Sequence, residues 1–302
     1  MLNGWIILDK PLGMGSTQGV GAVKRALREG GYAKVKVGHG GTLDPLATGV
    51  LPIALGEATK LAGRMLDSDK SYVFTIRFGT QTDSLDLEGS VIATSEVRPT
   101  FSQIEATLPL FTGQIVQVPP AFSALKIDGK RAYDLARAGV EIELSPRAVS
   151  VHGLYTSHWE MPLRLSDQVD AISLRADVSK GTYIRSLARD IAIALGTVGH
   201  VIMLRRIKAG PFTLAQAISL DILFEKSKRA ALEDITLPIR TALDDIPALA
   251  LTPEQAELLH HGQVLTGIAA QDGLALALNG ENPLALVEVS NGNVRVVRRF
   301  NL

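Results

Sequence analysis

Ser71-Tyr72-Val73-Phe74-Thr75-Ile76-Arg77-Phe78-Gly79-Thr80 alternates along its length. Tyr72, Phe74, Ile76 and Phe78 share one face, and Val73, Thr75 and Arg77 the other. A period of two marks a strand, because successive side chains leave a pleated backbone on opposite sides. The stretch therefore reads as a strand with one core face. Ala171 to Val178 repeats the pattern, with Ile172, Leu174, Ala176 and Val178 inward. Between the two, helices are expected at 101–109 and 132–138, with a loop-rich stretch from Val118 to Arg147. Upstream, residues 4–9 read as a short strand and Lys10 to Gly15 as a turn punctuated by Pro11 and Gly13. Ser16 or Thr17 can cap a helix with Val20, Val23 and Leu27 at helical spacing, ended by Gly30-Gly31. A glycine-rich loop spans Gly38 to Gly49, and a second helix Glu57 to Leu66. After Gly181 a helix carries Ile184, Leu187, Ile191 and Leu195. Strands mixed with helices, without regular βαβ repetition, predict an α+β fold. Its sheet is mixed and largely antiparallel, flanked by helices and loops.

A boundary is expected near Asp244-Asp245-Ile246-Pro247, giving a body of residues 1–245 and a small module of 246–302. In the module, Pro253 to Leu259 reads as a short helix. Val287 to Val297 reads as a hairpin, because Asn291-Gly292 suits a type I′ turn. Residues 221–245 give only a mixed-charge helical segment.

Composition narrows the chemistry. The 302 residues are 46% hydrophobic and 21% charged, the balance of a globular protein. There is no cysteine, which excludes disulfides, Cys-ligated zinc, iron–sulfur clusters and thiol nucleophiles. The N-terminus lacks a basic leader and reads as a first strand, not a signal peptide. No apolar run reaches the roughly 18 residues of a membrane span. These features predict a cytoplasmic protein with no membrane partner.

Charge sums to zero, 31 basic residues against 31 acidic. The distribution is uneven. Residues 1–40 hold six Lys/Arg against two Asp/Glu, and 180–208 hold six against Asp190 alone. From 221 onward the balance is acidic, seven against eleven. Two basic segments can build a phosphate-facing patch on a neutral protein, or be solvated helix faces.

Several motifs fail. There is no P-loop, and a dinucleotide fingerprint starting at Gly38 meets Leu43 where glycine is needed. No Gly-x-Ser-x-Gly elbow occurs. Histidines 39, 152, 158, 200, 260 and 261 have no metal-ligand spacing, so no metal is expected. Acid–base or nucleophilic chemistry from carboxylate, Tyr, Arg or Lys remains. Asp44 is the first candidate, in a loop stiffened by Pro45 and flanked by Gly38, Gly40, Gly41 and Gly49. Asp before Pro is also common in turns, so a turn-forming carboxylate stays open.

The run from Gly38 through Asp44-Pro45-Leu46-Ala47-Thr48-Gly49 to Pro52, continuing to Lys60, resembles the signature of the bacterial tRNA pseudouridine-55 synthase family, the TruB family. Leu8-Asp9-Lys10-Pro11, Ser179 to Leu187 and His200 to Arg206 match further blocks of that family. Pro119-Pro120-Ala121-Phe122-Ser123-Ala124-Leu125-Lys126, with Gly129-Lys130 and Ala132-Tyr133, resembles its RNA-gripping insertion, about 118–147. The likeness is collinear from about residue 3 to 215.

The resemblance implies the pseudouridine synthase fold and isomerisation of uridine 55 in the T loop of tRNA. No cofactor is implied, since the reaction has no redox step and no group donor. Asp44 would be the essential aspartate and Arg185 its partner, because a guanidinium fork keeps a partly buried carboxylate ionised and aimed. Read from the sequence alone, Arg185 could equally be a surface residue in register with Arg189. Tyr72 would stack on the flipped base, though it could be mere core. His39 would fill the space the base vacates, and Leu204 would pack on the base. Tyr183, Lys10 and Lys60 would be further substrate or loop contacts. The C-terminal module resembles a truncated PUA-type RNA-binding domain. A stand-alone monomer acting on the T arm, with no obligatory protein partner, is implied. An RNA-binding or tRNA-folding chaperone is the alternative. One departure stands out: many members carry a hydroxyl residue or alanine where this chain has Gly40. It is expected to loosen the loop while activity survives.

Overall fold

In chain order the first elements are β1 (Gly4–Lys10), α1 (Ser16–Glu29), β2 (Val37–His39), β3 (Ala47–Leu55), α2 (Ala62–Asp67) and β4 (Lys70–Phe78). Next come β5 (Thr80–Thr82), β6 (Val91–Thr94), α3 (Phe101–Thr107), β7 (Gly113–Gln117), β8 (Lys126–Ile127), β9 (Lys130–Arg131) and α4 (Ala132–Arg137). Then follow β10 (Arg147–Thr156), β11 (Ala171–Val178), α5 (Ile184–Ala194), β12 (Gly199–Ala209), β13 (Phe212–Thr213) and α6 (Leu220–Lys228). The last are β14 (Ala248–Ala250), α7 (Pro253–His260), β15 (Gly273–Asn279), β16 (Asn282–Ser290) and β17 (Asn293–Arg299). The structure, a computed structural model, describes residues 2–302 apart from Ala124, Asp128, Glu141, Glu143 and 158–166. His158 and parts of the expected 118–147 insertion therefore lie outside the described residues, as do the side chains of Lys126, Lys130 and Arg131.

Among the described residues nine strands form one sheet in the order β1-β3-β12-β4-β11-β10-β7, with β2 on β3 and β13 on β12. In it β3 and β12 run parallel, and the other described pairs are antiparallel. The expected mixed, largely antiparallel α+β architecture is found. Phe74, Ile76 and Phe78 of β4 pack with Ile172, Leu174, Ala176 and Val178 of β11 and with Ile184, Leu187 and Ile191 of α5. The alternation of both strands is thus the imprint of one helix-covered core face.

Two central strands had no alternation to reveal them. β3 is buried on both faces and carries Gly49 and Pro52. Such a strand reads as a continuous apolar run, not a period of two. β12 lies between β3 and β4, so Leu204 sits opposite both Ala47 and Phe74, and Arg206 opposite both Gly49 and Tyr72. This register brings the loop before β3, Tyr72 and Leu204 to one end of the sheet. Gly49 is at φ +100°, and a Cβ there would meet the Arg206 carbonyl oxygen at 2.2 Å. Only glycine permits that approach.

α1 differs from expectation at its start. Gly15 is the N-cap, and Ser16 is the first helical residue. The Ser16 hydroxyl is spent elsewhere, donating to the Leu43 carbonyl at 3.0 Å and accepting from its N–H at 2.7 Å.

Residues beyond 247 build a separate sheet, β14-β15-β16-β17. Asn291 and Gly292 both have positive φ, +49° and +73°, as a type I′ turn requires. Leu276, Leu286 and Phe300 pack against Ile239, Leu243 and Ile246. Residues 221–245 form α6 and the short 3₁₀ turns Leu232–Ile235 and Ile239–Leu243.

Candidate active site

The loop that carries Asp44 is held through its backbone by three buried side chains. Lys10 is fully buried and donates from Nζ to the carbonyls of Met14 (2.6 Å), Pro11 (3.1 Å) and Pro45 (3.3 Å). Burial pulls its pKa down to about 8, opposed by the nearby Asp44 charge and aided by Arg206. Ser16 grips Leu43 from both sides, as above. Arg206, 1% exposed, donates to Val50 (2.8 Å), Thr42 (3.2 Å) and Gly41 (3.2 Å). Buried cations persist where such oxygens replace lost water. The five residues 41–45 are thereby fixed, leaving the Asp44 side chain as the free end.

Arg185 meets that side chain. It stands in the first turn of α5, and its guanidinium is almost wholly buried. Nη2 bonds Asp44 Oδ2 at 2.8 Å and the Phe122 carbonyl at 2.9 Å. Nη1 bonds the Ser84 carbonyl at 2.8 Å and Asp86 Oδ2 at 3.2 Å. Asp86 is itself buried, and its Oδ1 accepts from Ser84 Oγ (2.5 Å) and the Glu88 N–H (3.0 Å). The fork therefore spans two carboxylates, one buried and one 43% exposed. The exposed one, Asp44, is oriented toward solvent-accessible space while its partner is anchored.

Two cavities meet at this pair. One, of about 350 Å³, is lined by Tyr72, Leu204, Tyr183, Ile184, Lys70 and Ser123 besides Asp44 and Arg185. The other, of about 440 Å³, runs from Asp44 and Arg185 past Asp83, Glu88, Phe122, Tyr133 and Arg137. In its wall the Tyr133 ring lies edge-on to Phe122 and 4.9 Å beneath the Arg137 guanidinium. A ring flanked by a guanidinium is a stacking platform for a planar group.

Among the residues expected at the site, Asp44, Arg185, Tyr72, Leu204 and Tyr183 are brought together. Tyr183 caps α5 and is locked by Gln117, whose amide contacts its backbone on both sides at 3.1 and 3.4 Å. Burial raises its phenol pKa. Lys10 supports the loop from beneath and does not line either cavity. His39 is half-buried beside the loop, with Nδ1 3.4 Å from the Gly41 N–H, and lines neither cavity. Burial, then the Arg206 charge, lowers its pKa. Lys60 is elsewhere: it bonds Glu57 at 2.6 Å and the Arg299 carbonyl at 2.9 Å, tying the body to β17. Gly40 is buried, and a Cβ on it would come within 2.7 Å of Met65 Cβ. The departure at this position is filled by Met65 rather than left as slack.

Asp86, Lys70 and Arg206 escaped the sequence reading of the site. Lys70 donates to the carbonyls of Met65, Leu66 and Ser68, and burial brings its pKa to about 8. Among the described residues no cluster of His, Asp and Glu could hold a metal. No helix among them is long and apolar enough to cross a membrane.

Known proteins share both the fold and the sequence. A solved Cbf5–Nop10–Gar1 complex contains a chain that matches with a TM-score of 0.70 at 25% identity, covering 98% of this chain and 84% of that one. An H/ACA RNP bound to a substrate RNA containing 2′-deoxyuridine matches with a TM-score of 0.71 at 24% identity, covering 99% and 85%. Nearer in sequence, tRNA pseudouridine synthase B of Novosphingobium aromaticivorans is 62% identical over 302 residues, covering all of this chain and 98% of the relative. The Zymomonas mobilis protein of the same name is 56% identical over 300 residues, covering 99% and 96%. These findings define the class, a pseudouridine synthase, which is an isomerase. Residues 27–184 match the N-terminal domain of TruB family pseudouridylate synthases, and 185–244 match the tRNA pseudouridylate synthase B C-terminal domain. The chain belongs to the TruB family.

Proposed function

We propose that this enzyme converts uridine 55 in the T loop of tRNA to pseudouridine, with Asp44 as the catalytic carboxylate. The observation that carries the reading is the Asp44–Arg185 pair at 2.8 Å, at the junction of two cavities and on a loop fixed by Lys10, Ser16 and Arg206. Relatives named for this activity match over the whole chain.

The reaction breaks N1–C1′, turns the uracil and joins C5 to C1′. C5 loses its proton and N1 gains one, so the product is an isomer. A carboxylate can attack the nucleoside, or stabilise positive charge developing at the sugar. Tyr72 and Leu204, on the wall of the smaller cavity, offer the detached base apolar surface on which to turn. Bound RNA would complete the enclosure and keep water from capturing the sugar. Tyr72, on the wall of the same cavity as Asp44, stands near the proton to be removed. The target base is stacked in the folded T loop and must be flipped out, for a few kcal/mol. Stacking and contacts to the loop backbone supply recognition. The basic segments at 24–36, 126–137 and 180–208 are the candidate phosphate contacts.

Residues 1–245 act in this proposal as the catalytic body, gripping RNA with 118–147, and 246–302 as a PUA-like module. The enzyme works in the cytoplasm as a monomer, without a cofactor or an obligatory protein partner. The test is incubation with an unmodified tRNA transcript, without added metal or nucleotide, followed by base-specific mapping of pseudouridine. Product at the T-loop position is expected. Tight tRNA binding with no product would replace this reading by that of an RNA-binding chaperone.

A further inference from the structure

Ser123 carries a hydroxyl that makes no hydrogen bond of ordinary geometry within the protein. The residue is 4% exposed, and its Oγ has no hydrogen-bond partner. Among the described residues, the other buried side-chain atoms without a partner belong to Trp5 and Arg205, and neither lines a cavity at Asp44. Ser123 lines both. A buried hydroxyl left unpaired is disfavoured, so its persistence at a site calls for a ligand.

Its position is fixed rather than incidental. The Ser123 N–H donates to the Ala121 carbonyl at 3.0 Å, and its own carbonyl accepts from the Tyr133 N–H at 2.9 Å. The preceding carbonyl, of Phe122, accepts from Arg185 Nη2, the nitrogen that also bonds Asp44. Ser123 is therefore tied to the catalytic pair through one guanidinium nitrogen. Neighbouring hydroxyls are already engaged: Ser84 with Asp86, Thr182 with the Ser179 carbonyl and Ser16 with Leu43. The Ser123 hydroxyl interacts with the Tyr183 phenol and opposes part of the effect of burial on its pKa, but the two make no hydrogen bond of ordinary geometry.

We propose that the Ser123 hydroxyl is a substrate contact, donating to an oxygen of the flipped uridine close to C1′. Two oxygens of that nucleotide fit, the ribose 2′-hydroxyl and uracil O2. Each can accept from a hydroxyl, and each lies within a few bonds of the carbon that Asp44 faces. This rests on the reading of Asp44 as the group that faces C1′. Ser123 would then help set the sugar and base before the glycosidic bond breaks, and would discriminate against nucleotides that lack the oxygen it meets.

The test is a cycle in binding, run on full-length Asp44→Asn protein so that no turnover intervenes. Dissociation constants are measured for a T-arm stem-loop bearing uridine, 2′-deoxyuridine or 2-thiouridine at the target, with Ser123 and with Ser123→Ala. On uridine the alanine variant is expected to bind about tenfold more weakly, the scale of one hydrogen bond. Its melting temperature should fall by no more than about 2 °C, because no internal bond of ordinary geometry is lost. If the difference vanishes with 2′-deoxyuridine, the partner is the ribose; if it vanishes with 2-thiouridine, it is the base. A difference that persists with both, or is absent on uridine, overturns the proposal. So does a melting temperature lowered by more than about 2 °C, which would assign the hydroxyl to the fold, since a structural loss of ~1 kcal/mol shifts a domain of this size by about 2–4 °C. Turnover by the Asp44→Asn protein would instead remove the reading of the site itself.

Discussion

Replacing Arg185 by lysine keeps the charge and removes the fork. The guanidinium uses two nitrogens for four oxygens: Asp44 and Phe122 on one, Ser84 and Asp86 on the other. One ammonium on a flexible stem cannot span both carboxylates at once. If it follows Asp86, the Phe122 carbonyl loses its donor and Asp44 loses its anchor. Each lost bond to a charged group is worth ~1.5–3 kcal/mol. The Asp44 side is 43% exposed and screened, so the lower end applies there. Two such losses give roughly 3–4 kcal/mol, or a rate lower by about 10²–10³. Release of tritium from C5 of the target uridine measures turnover directly, since that hydrogen leaves when C5 joins C1′. The tRNA dissociation constant should change by less than about threefold, because the lost contacts are internal rather than to phosphate. An Arg185→Lys enzyme turning over within about threefold of wild type would refute the claim that the fork positions Asp44.

Asp86→Asn leaves a neutral acceptor for Ser84 but strips the buried guanidinium of its second carboxylate. Thermal denaturation should show a loss of about 3 kcal/mol, in the range for breaking a buried pair, with turnover lowered as Arg185 shifts. Gly40→Ala forces a methyl to within 2.7 Å of Met65 Cβ. Overpacking should cost about 1–3 kcal/mol by urea denaturation, and Met65→Ala should not restore it, because Cβ remains. Lys10 and Lys70 both titrate near 8 when folded and at 10.5 when exposed. Between those values the unfolded chain holds protons the folded one has shed, so stability gained from these groups rises with pH. The slope is ~1.4 kcal/mol per pH unit per group, and Lys70→Met should remove one group's share in urea titrations at about pH 8 and pH 9.5.

The core face was legible because β4 and β11 each set one side on α5 and the other on less apolar surroundings. β3 hid because burial on both faces abolishes alternation, and Pro52 argues locally against a strand; β12 hid because His200-Val201-Ile202-Met203-Leu204-Arg205-Arg206 carries no period of two. The Asn291-Gly292 hairpin was readable since the backbone itself demands those residues. Asp44 stood out through its glycine-rich setting and its family likeness. Asp86 did not. It reaches Arg185 by a turn in which Leu85 takes φ +63°, and nothing in a lone Asp-Ser-Leu-Asp run announces that geometry. Lys10 was noticed, but its work on the loop from beneath depends on Met14 and Pro45 being brought together in space. Ser16 read as a cap because a serine before a helix usually is one; here Leu43, distant in sequence, takes the hydroxyl instead.

In this proposal the Asp44 carboxylate is indispensable to the chemistry, while Lys10, Ser16, Arg206 and Arg185 hold it in place. Asp44→Asn tests it most directly, being isosteric and still able to accept from Arg185. The protein should bind unmodified tRNA within a few-fold of wild type and form no pseudouridine at the T-loop position, even in single-turnover reactions with enzyme in excess. Pseudouridine formed by the Asp44→Asn protein at a rate near wild type would contradict the account.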